Sequence, residues 1–120
     1  MAPRVRRTEV HWVDLGAVVG SEQGGRRPIL VLQDNIINER SSTTIGVAIT
    51  SRRQQLGYPL ALELAAGEGG LPKRSWIKLT QLRTISVARF GGRLGALAAP
   101  RMREVEEALL EVLGIDLGAW

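Results

Sequence analysis

Residues 16–33, GAVVGSEQGGRRPILVLQ, constrain this chain more than any other stretch. A polar, glycine-rich loop carrying two adjacent arginines runs straight into an unbroken apolar segment, which reads as a core strand. Gly20, Gly24 and Gly25 have access to backbone angles that Cβ-bearing residues avoid, so the loop can fold tightly and let a ligand approach its main chain. Pro28 fixes its own φ and biases Arg27 towards an extended conformation. The Arg27 guanidinium is therefore expected on a stiff point in the loop before the second strand. Ser21, Glu22 and Gln23 add a hydroxyl, a carboxylate and an amide to the same loop. That concentration of polar groups at the root of a core strand looks like a site. A solvated turn with a cationic tip is the plainer alternative, since turns favour glycine anyway, and spacing alone does not separate the two. The loop has neither the Gly-Lys-Ser/Thr ending of a phosphate-binding P-loop nor the glycine pattern of a dinucleotide site.

At 120 residues and 44% hydrophobic content, one globular domain over residues 1–120 is expected, with a single core. No apolar run approaches the roughly 20 residues needed to cross a bilayer, so no membrane association is expected. The basic start, MAPRVRR, leads into Thr8-Glu9 rather than an apolar segment, which argues against a secretory signal. Cytoplasm is the default expectation. Without cysteine there is no disulfide framework and no thiolate chemistry, and with one histidine a transition-metal site is not expected.

The net charge of +4 is unevenly spread. Residues 1–99 hold 14 Lys/Arg against 7 Asp/Glu, whereas residues 100–120 hold 2 against 5. The body is thus basic and the tail acidic, a balance that favours polyanionic partners, nucleic acid first. There is no basic block, zinc-finger spacing or RNP-type aromatic motif.

Six strands are expected, at 9–15, 28–33, 43–50, 58–64, 75–79 (ended by Gln81–Thr84) and 91–97. The last of these is weakened by its glycines. Short helical turns are expected at 36–40 and 86–90, and residues 65–74 read as a glycine-rich connection. Pro100 suits the first position of a terminal helix and Gly114 the residue after it. Met102, Val105, Leu109, Val112 and Leu113 share one face of that helix, with acid turned to solvent. Short strands followed by one helix argue for a small, strongly bent sheet or barrel.

Taken together, Trp12-Val13-Asp14-Leu15, the run Val18–Gly25 followed by Arg27-Pro28, Ile49-Thr50-Ser51 and Gln81-Leu82-Arg83-Thr84 resemble the MazF/PemK family of toxin endoribonucleases. The likeness extends through the terminal helix. It implies a mainly β fold with helices, a small SH3-like β-barrel closed by a C-terminal α-helix. It further implies a homodimer, metal-independent cleavage of single-stranded RNA without a cofactor, and pairing with a cognate antitoxin whose acidic, disordered segment occupies the RNA groove. The family's catalytic roles fall on Arg27 and Thr50. Ser21, Glu22, Gln23 and Gln81 resemble positions that line the RNA path; Arg52, beside Thr50, reads as a solvated loop residue or part of a phosphate track, and Asp34 is read as a further substrate contact. Thr8 stands where the family often has glycine, and Asp34-Asn35 inverts a common Asn-Asp order.

Cleavage of this kind uses the neighbouring 2′-OH as nucleophile and leaves a 2′,3′-cyclic phosphate and a 5′-OH. One chain with a single histidine, His11, cannot supply a two-histidine design, and His11 reads as a structural or exposed strand residue. A guanidinium keeps its proton, so Arg27 is read as charge stabiliser and proton donor, with Glu22 or water as acceptor. Thr50 adds a hydroxyl. Trp12 and Trp76, both in expected strands, are read as core or dimer contacts rather than base-stacking platforms. Two rivals remain at this stage: a toxin of the same barrel fold that inhibits DNA gyrase by binding, and a basic binding protein without turnover.

Overall fold

The computed structural model describes residues 4–17, 20 and 24–119. Six strands form one antiparallel sheet: β1 (Glu9–Asp14), β2 (Arg26–Val31), β3 (Thr43–Thr50), β4 (Ala61–Leu64), β5 (Ser75–Ser86) and β6 (Phe90–Ala96), in the order β4-β5-β3-β2-β1-β6. Two helices complete it, α1 (Asn35–Asn38) and α2 (Ala99–Leu113), with 3-10 turns at Glu68–Gly70, Val87–Arg89 and Leu117–Ala119. The expected class, mainly β with a terminal helix, is what the chain adopts. No ladder joins the outer strands β4 and β6, so the sheet stays open.

Backbone packing bridges part of the gap between those edges. The 3-10 turn Glu68–Gly70 follows β4 and presses on β6 so closely that a Cβ on Gly70 would stand 2.0 Å from the Leu94 carbonyl oxygen. A Cβ on Gly95 would stand 2.8 Å from the Gly69 carbonyl. Gly95, one of the glycines that weaken β6 as an isolated strand, is therefore what lets this contact form.

The sheet buries both faces. Leu30, Val47, Ile49, Ile77 and Leu79 point into a core capped by Met102, Val105 and Ala108 of α2. Their neighbours Ile29, Val31, Ala48 and Ile85 point into a second cluster with Val13, Leu15 and Phe90. Alternation of this kind, apolar on both sides, is why β2 and β3 read as nearly continuous hydrophobic runs. The helix ends at Gly114, at φ +69°, where Gly114 N–H donates to Glu111 O and Ile115 N–H to Leu110 O. Leu113, expected on the buried face, is 55% exposed because it is the last residue before that cap. Ala108 is buried in its stead.

Several boundaries differ from expectation, among them those of β2, β4 and β5. β2 begins at Arg26, two residues earlier, because its ladder with β1 runs Trp12↔Pro28, Val13↔Arg27, Asp14↔Arg26. β4 begins only at Ala61, since the expected start at Tyr58-Pro59 is a turn in which Leu60 and Ala61 N–H both donate to Gly57 O. β5 is one twelve-residue strand with a register shift: Val47 pairs Leu82 but Ile49 pairs Ile77, leaving Lys78–Gln81 as a bend.

Candidate active site

The site begins with a missing amide. Pro28 has no N–H to give. The β1–β2 ladder passes through it, but the β2–β3 ladder stops one residue short, at Ile29↔Ala48. Beyond that point β2 and β3 splay, and a cavity of about 180 Å³ opens at their ends. Pro28, Ile49 and Leu71 give it apolar walls, and Trp12 closes one side. Arg26, Arg27 and Lys73 also line it, and no lining residue is acidic. An apolar pocket with a cationic rim suits a phosphorylated ligand bearing a flat apolar group.

Arg27 and Thr50 both lie two residues beyond the last β2–β3 pair, on the strand ends that splay apart. On the far side Thr50 pairs with Trp76, and Arg27 pairs with Val13. Directly opposed residues of antiparallel strands share a face, so Thr50 shares its face with Trp76.

Arg27 lies inside β2 rather than in a loop before it, which corrects the expectation and supplies a better reason for its rigidity. The hairpin continues past β1 and β2 through Leu15 N–H to Gly25 O and Gly25 N–H to Gly16 O. Arg27 Nε donates to Gly24 O at 3.1 Å, which fixes the guanidinium plane and turns the two Nη groups outward. Thr50 is 4% exposed, and its Oγ1 accepts the Arg52 N–H at 3.1 Å. The hydroxyl proton is thereby left to donate. Thr50 itself does not line the cavity, whereas its neighbours Ile49 and Ser51 do.

The other expected contact residues are dispersed. Arg52 is exposed in the turn after Thr50. Gln81 lies in the bend of β5 and, with Thr80, Leu82, Arg83 and Thr84, lines a separate shallow depression. Asp34 sits beyond the opposite end of β2, where Oδ2 accepts the Ile36 N–H and caps α1. Ser21, Glu22 and Gln23 lie outside the described residues. His11 is 4% exposed, with Nε2 3.1 Å from Glu9 Oε1 and its ring edge-on to Phe90, in keeping with a structural role.

Sequence reasoning missed part of the cavity. Trp12, read as a core or dimer contact, is half-buried with the Arg26 guanidinium 5.3 Å above its ring. Lys73 and Ser75 come from a stretch read as mere connection and from the strand start after it. Only the proximity of Trp12 and Arg26 to the arginine loop hinted at their place.

These features define the class: a small β protein built on one open antiparallel sheet, with a terminal helix and an arginine-lined cleft where a ladder ends. Residues 6–113 match the family described as PemK-like, MazF-like toxin of type II toxin–antitoxin systems, and the chain belongs to that family. It is 43% identical over 105 residues to Endoribonuclease EndoA of Bacillus subtilis, covering 88% of this chain and 90% of that one. The crystal structure of MazF from Deinococcus radiodurans superposes with a TM-score of 0.80 at 27% identity, covering 94% of this chain and 99% of that one. A MazE–MazF crystal structure from the same organism gives 0.76 at 27% identity, over 95% and 99%.

Proposed function

We propose that this chain is the toxin of a toxin–antitoxin pair and acts as a sequence-selective endoribonuclease on single-stranded RNA, without a metal. Residues 1–120 serve as one toxin domain, acting in the cytoplasm as a homodimer. The observation that carries the reading is the arginine-lined cleft at the parted ends of β2 and β3, where Arg27 is pinned through Nε, in a family relative of a protein named as an endoribonuclease. The gyrase-binding alternative is not favoured, because it gives this cleft no task.

The 2′-oxygen of one nucleotide attacks its own 3′-phosphorus, the bond from phosphorus to the 5′-oxygen of the next nucleotide breaks, and a 2′,3′-cyclic phosphate and a 5′-OH result. The 2′ proton passes to Glu22 or water, and the departing 5′-oxygen takes a proton from the Arg27 guanidinium, which regains one from water. Charge builds on the phosphorane oxygens, and the Nη groups of Arg27 face it as a planar fork. Thr50 donates its hydroxyl proton to the same oxygens. Arg52, Gln81 and the loop residues Ser21, Glu22 and Gln23 line the RNA path. Asp34, whose Oδ2 caps α1, offers Oδ1 to a base amino group at its far end. Readout of exposed base edges in a single strand suits such a dispersed set. An acidic antitoxin segment complements the basic body and competes for the groove, as charge opposition would have it.

Purified protein incubated with a long single-stranded transcript in EDTA is expected to yield 5′-OH fragments at defined positions. Arg27→Ala is expected to slow cutting by at least about 10²–10³ with the circular dichroism spectrum unchanged. Cutting by the Arg27→Ala protein at the parental rate would remove Arg27 from the mechanism.

A further inference from the structure

The cross-strand row that starts at Thr50 continues to Trp76 of β5 and then to Glu63 of β4. Trp76 is 9% exposed. What covers its outer surface is the Arg74 guanidinium, 5.0 Å from the ring centroid. That guanidinium is hydrogen bonded and ion paired to Glu63. The side chains of Arg74 and Glu63 are themselves 63% and 47% exposed. An indole thus sits one strand, about 5 Å, from the Thr50 column, roofed by a solvent-washed ion pair. Exposed pairs of this kind hold weakly, so the roof lifts easily. A guanidinium stacked over an indole fills the planar slot that a nucleobase would fill.

We propose that Trp76 is a base-stacking subsite for single-stranded RNA, gated by Arg74; this rests on the endoribonuclease reading above. A nucleobase beside the scissile phosphate takes the place of the guanidinium on the indole. Arg74, released from Glu63, turns its donors to a phosphate oxygen of the same strand. No covalent step is involved. The exchange couples base stacking to the capture of a phosphate, and places that phosphate's neighbour near Thr50.

The test uses a fluorescein-labelled heptanucleotide RNA centred on the mapped cut, with 2′-deoxyribose at that position so that it binds without being cut. Each nucleotide is replaced in turn by an abasic residue, and affinity is read by anisotropy. One abasic position is expected to weaken binding to the wild-type protein about 10-fold. In Trp76→Leu the intact RNA is expected to bind about 10-fold more weakly, and the same abasic position to cost nothing further. A second measurement stands if Trp76→Leu does not fold. In Trp12→Phe/Trp120→Phe, where Trp76 is the one remaining tryptophan, intact RNA is expected to quench its emission and the abasic RNA to leave it bright. Equal abasic profiles in wild type and Trp76→Leu, or no quenching at saturation, would overturn the subsite alone. Absence of any cut and of any RNA binding by the wild-type protein would overturn the endoribonuclease reading and the subsite with it.

Discussion

The Thr50 hydroxyl accepts the Arg52 N–H across a two-residue turn, an arrangement that fixes the oxygen and aims its proton away from the turn. Thr50→Val keeps the shape and β-branching but removes that proton. It is expected to slow single-turnover cleavage by about 10- to 100-fold while leaving the melting temperature within a few degrees, and Thr50→Ser is expected to restore most of the rate. Thr8 presents the opposite situation, a residue held against its own preference. Its φ is +81°, in the left-handed region that a β-branched side chain resists. Two backbone bonds keep it there, Thr8 N–H to Val31 O and Leu97 N–H to Thr8 O. The glycine often found at this place in the family would sit there without strain. Thr8→Gly is accordingly expected to stabilise the fold by about 1 kcal/mol, the relief of strain exceeding the entropy that glycine adds to the unfolded chain, as a denaturant midpoint would show.

At the level of elements, the 3-10 turn Glu68–Gly70 is tied to α2 by a two-pronged contact. Arg101 Nε donates to Glu68 Oε1 at 2.8 Å and Nη2 to Oε2 at 3.1 Å, while Nη1 reaches Glu104 at 2.8 Å. The Arg101 guanidinium, opposed by partial burial and aided by the Ala65 N–H, holds the Glu68 carboxyl below its ordinary value of 4.5. A lowered carboxyl stabilises the fold above that ordinary value, and the contribution is lost as pH falls through the folded one. Stability is thus expected to drop in acid below about pH 4.5, and Glu68→Gln is expected to flatten that drop while costing about 1 kcal/mol near neutrality. Melting curves taken across the acid range test both. Element by element, local pattern was legible where it is local: Thr43–Thr50 is β-branched and apolar throughout, and α2 carries its own proline and glycine stops. It was not legible where partners are distant. The ladder that draws Arg26 and Arg27 into β2 is set by Trp12 and Asp14 across the hairpin. Lys73, within a glycine-rich connection, reaches the cleft only because that connection crosses back over it, and no periodicity records such a return. Trp76 reads from its strand as a core or dimer contact; it is buried, and the pattern does not record what covers it.

Across the whole molecule charge is sorted rather than mixed, with a surplus of 7 positive charges over residues 1–99 and a deficit of 3 over residues 100–120. The acidic excess of the tail lies on and just after α2, at Glu104, Glu106, Glu107, Glu111 and Asp116. With Arg26, Arg27 and Lys73 at the cleft, the logarithm of RNA affinity is expected to fall with the logarithm of salt at a slope of about −2, and a flat dependence would argue against a phosphate track there. The absent N–H of Pro28 bears on the same surface. Because it is a matter of covalent structure, the cleft does not rely on strain, a hinge or a bound guest to remain parted. Any strand of RNA arriving there meets a berth standing ready, and the work of prising two hydrogen-bonded strands asunder never enters its binding.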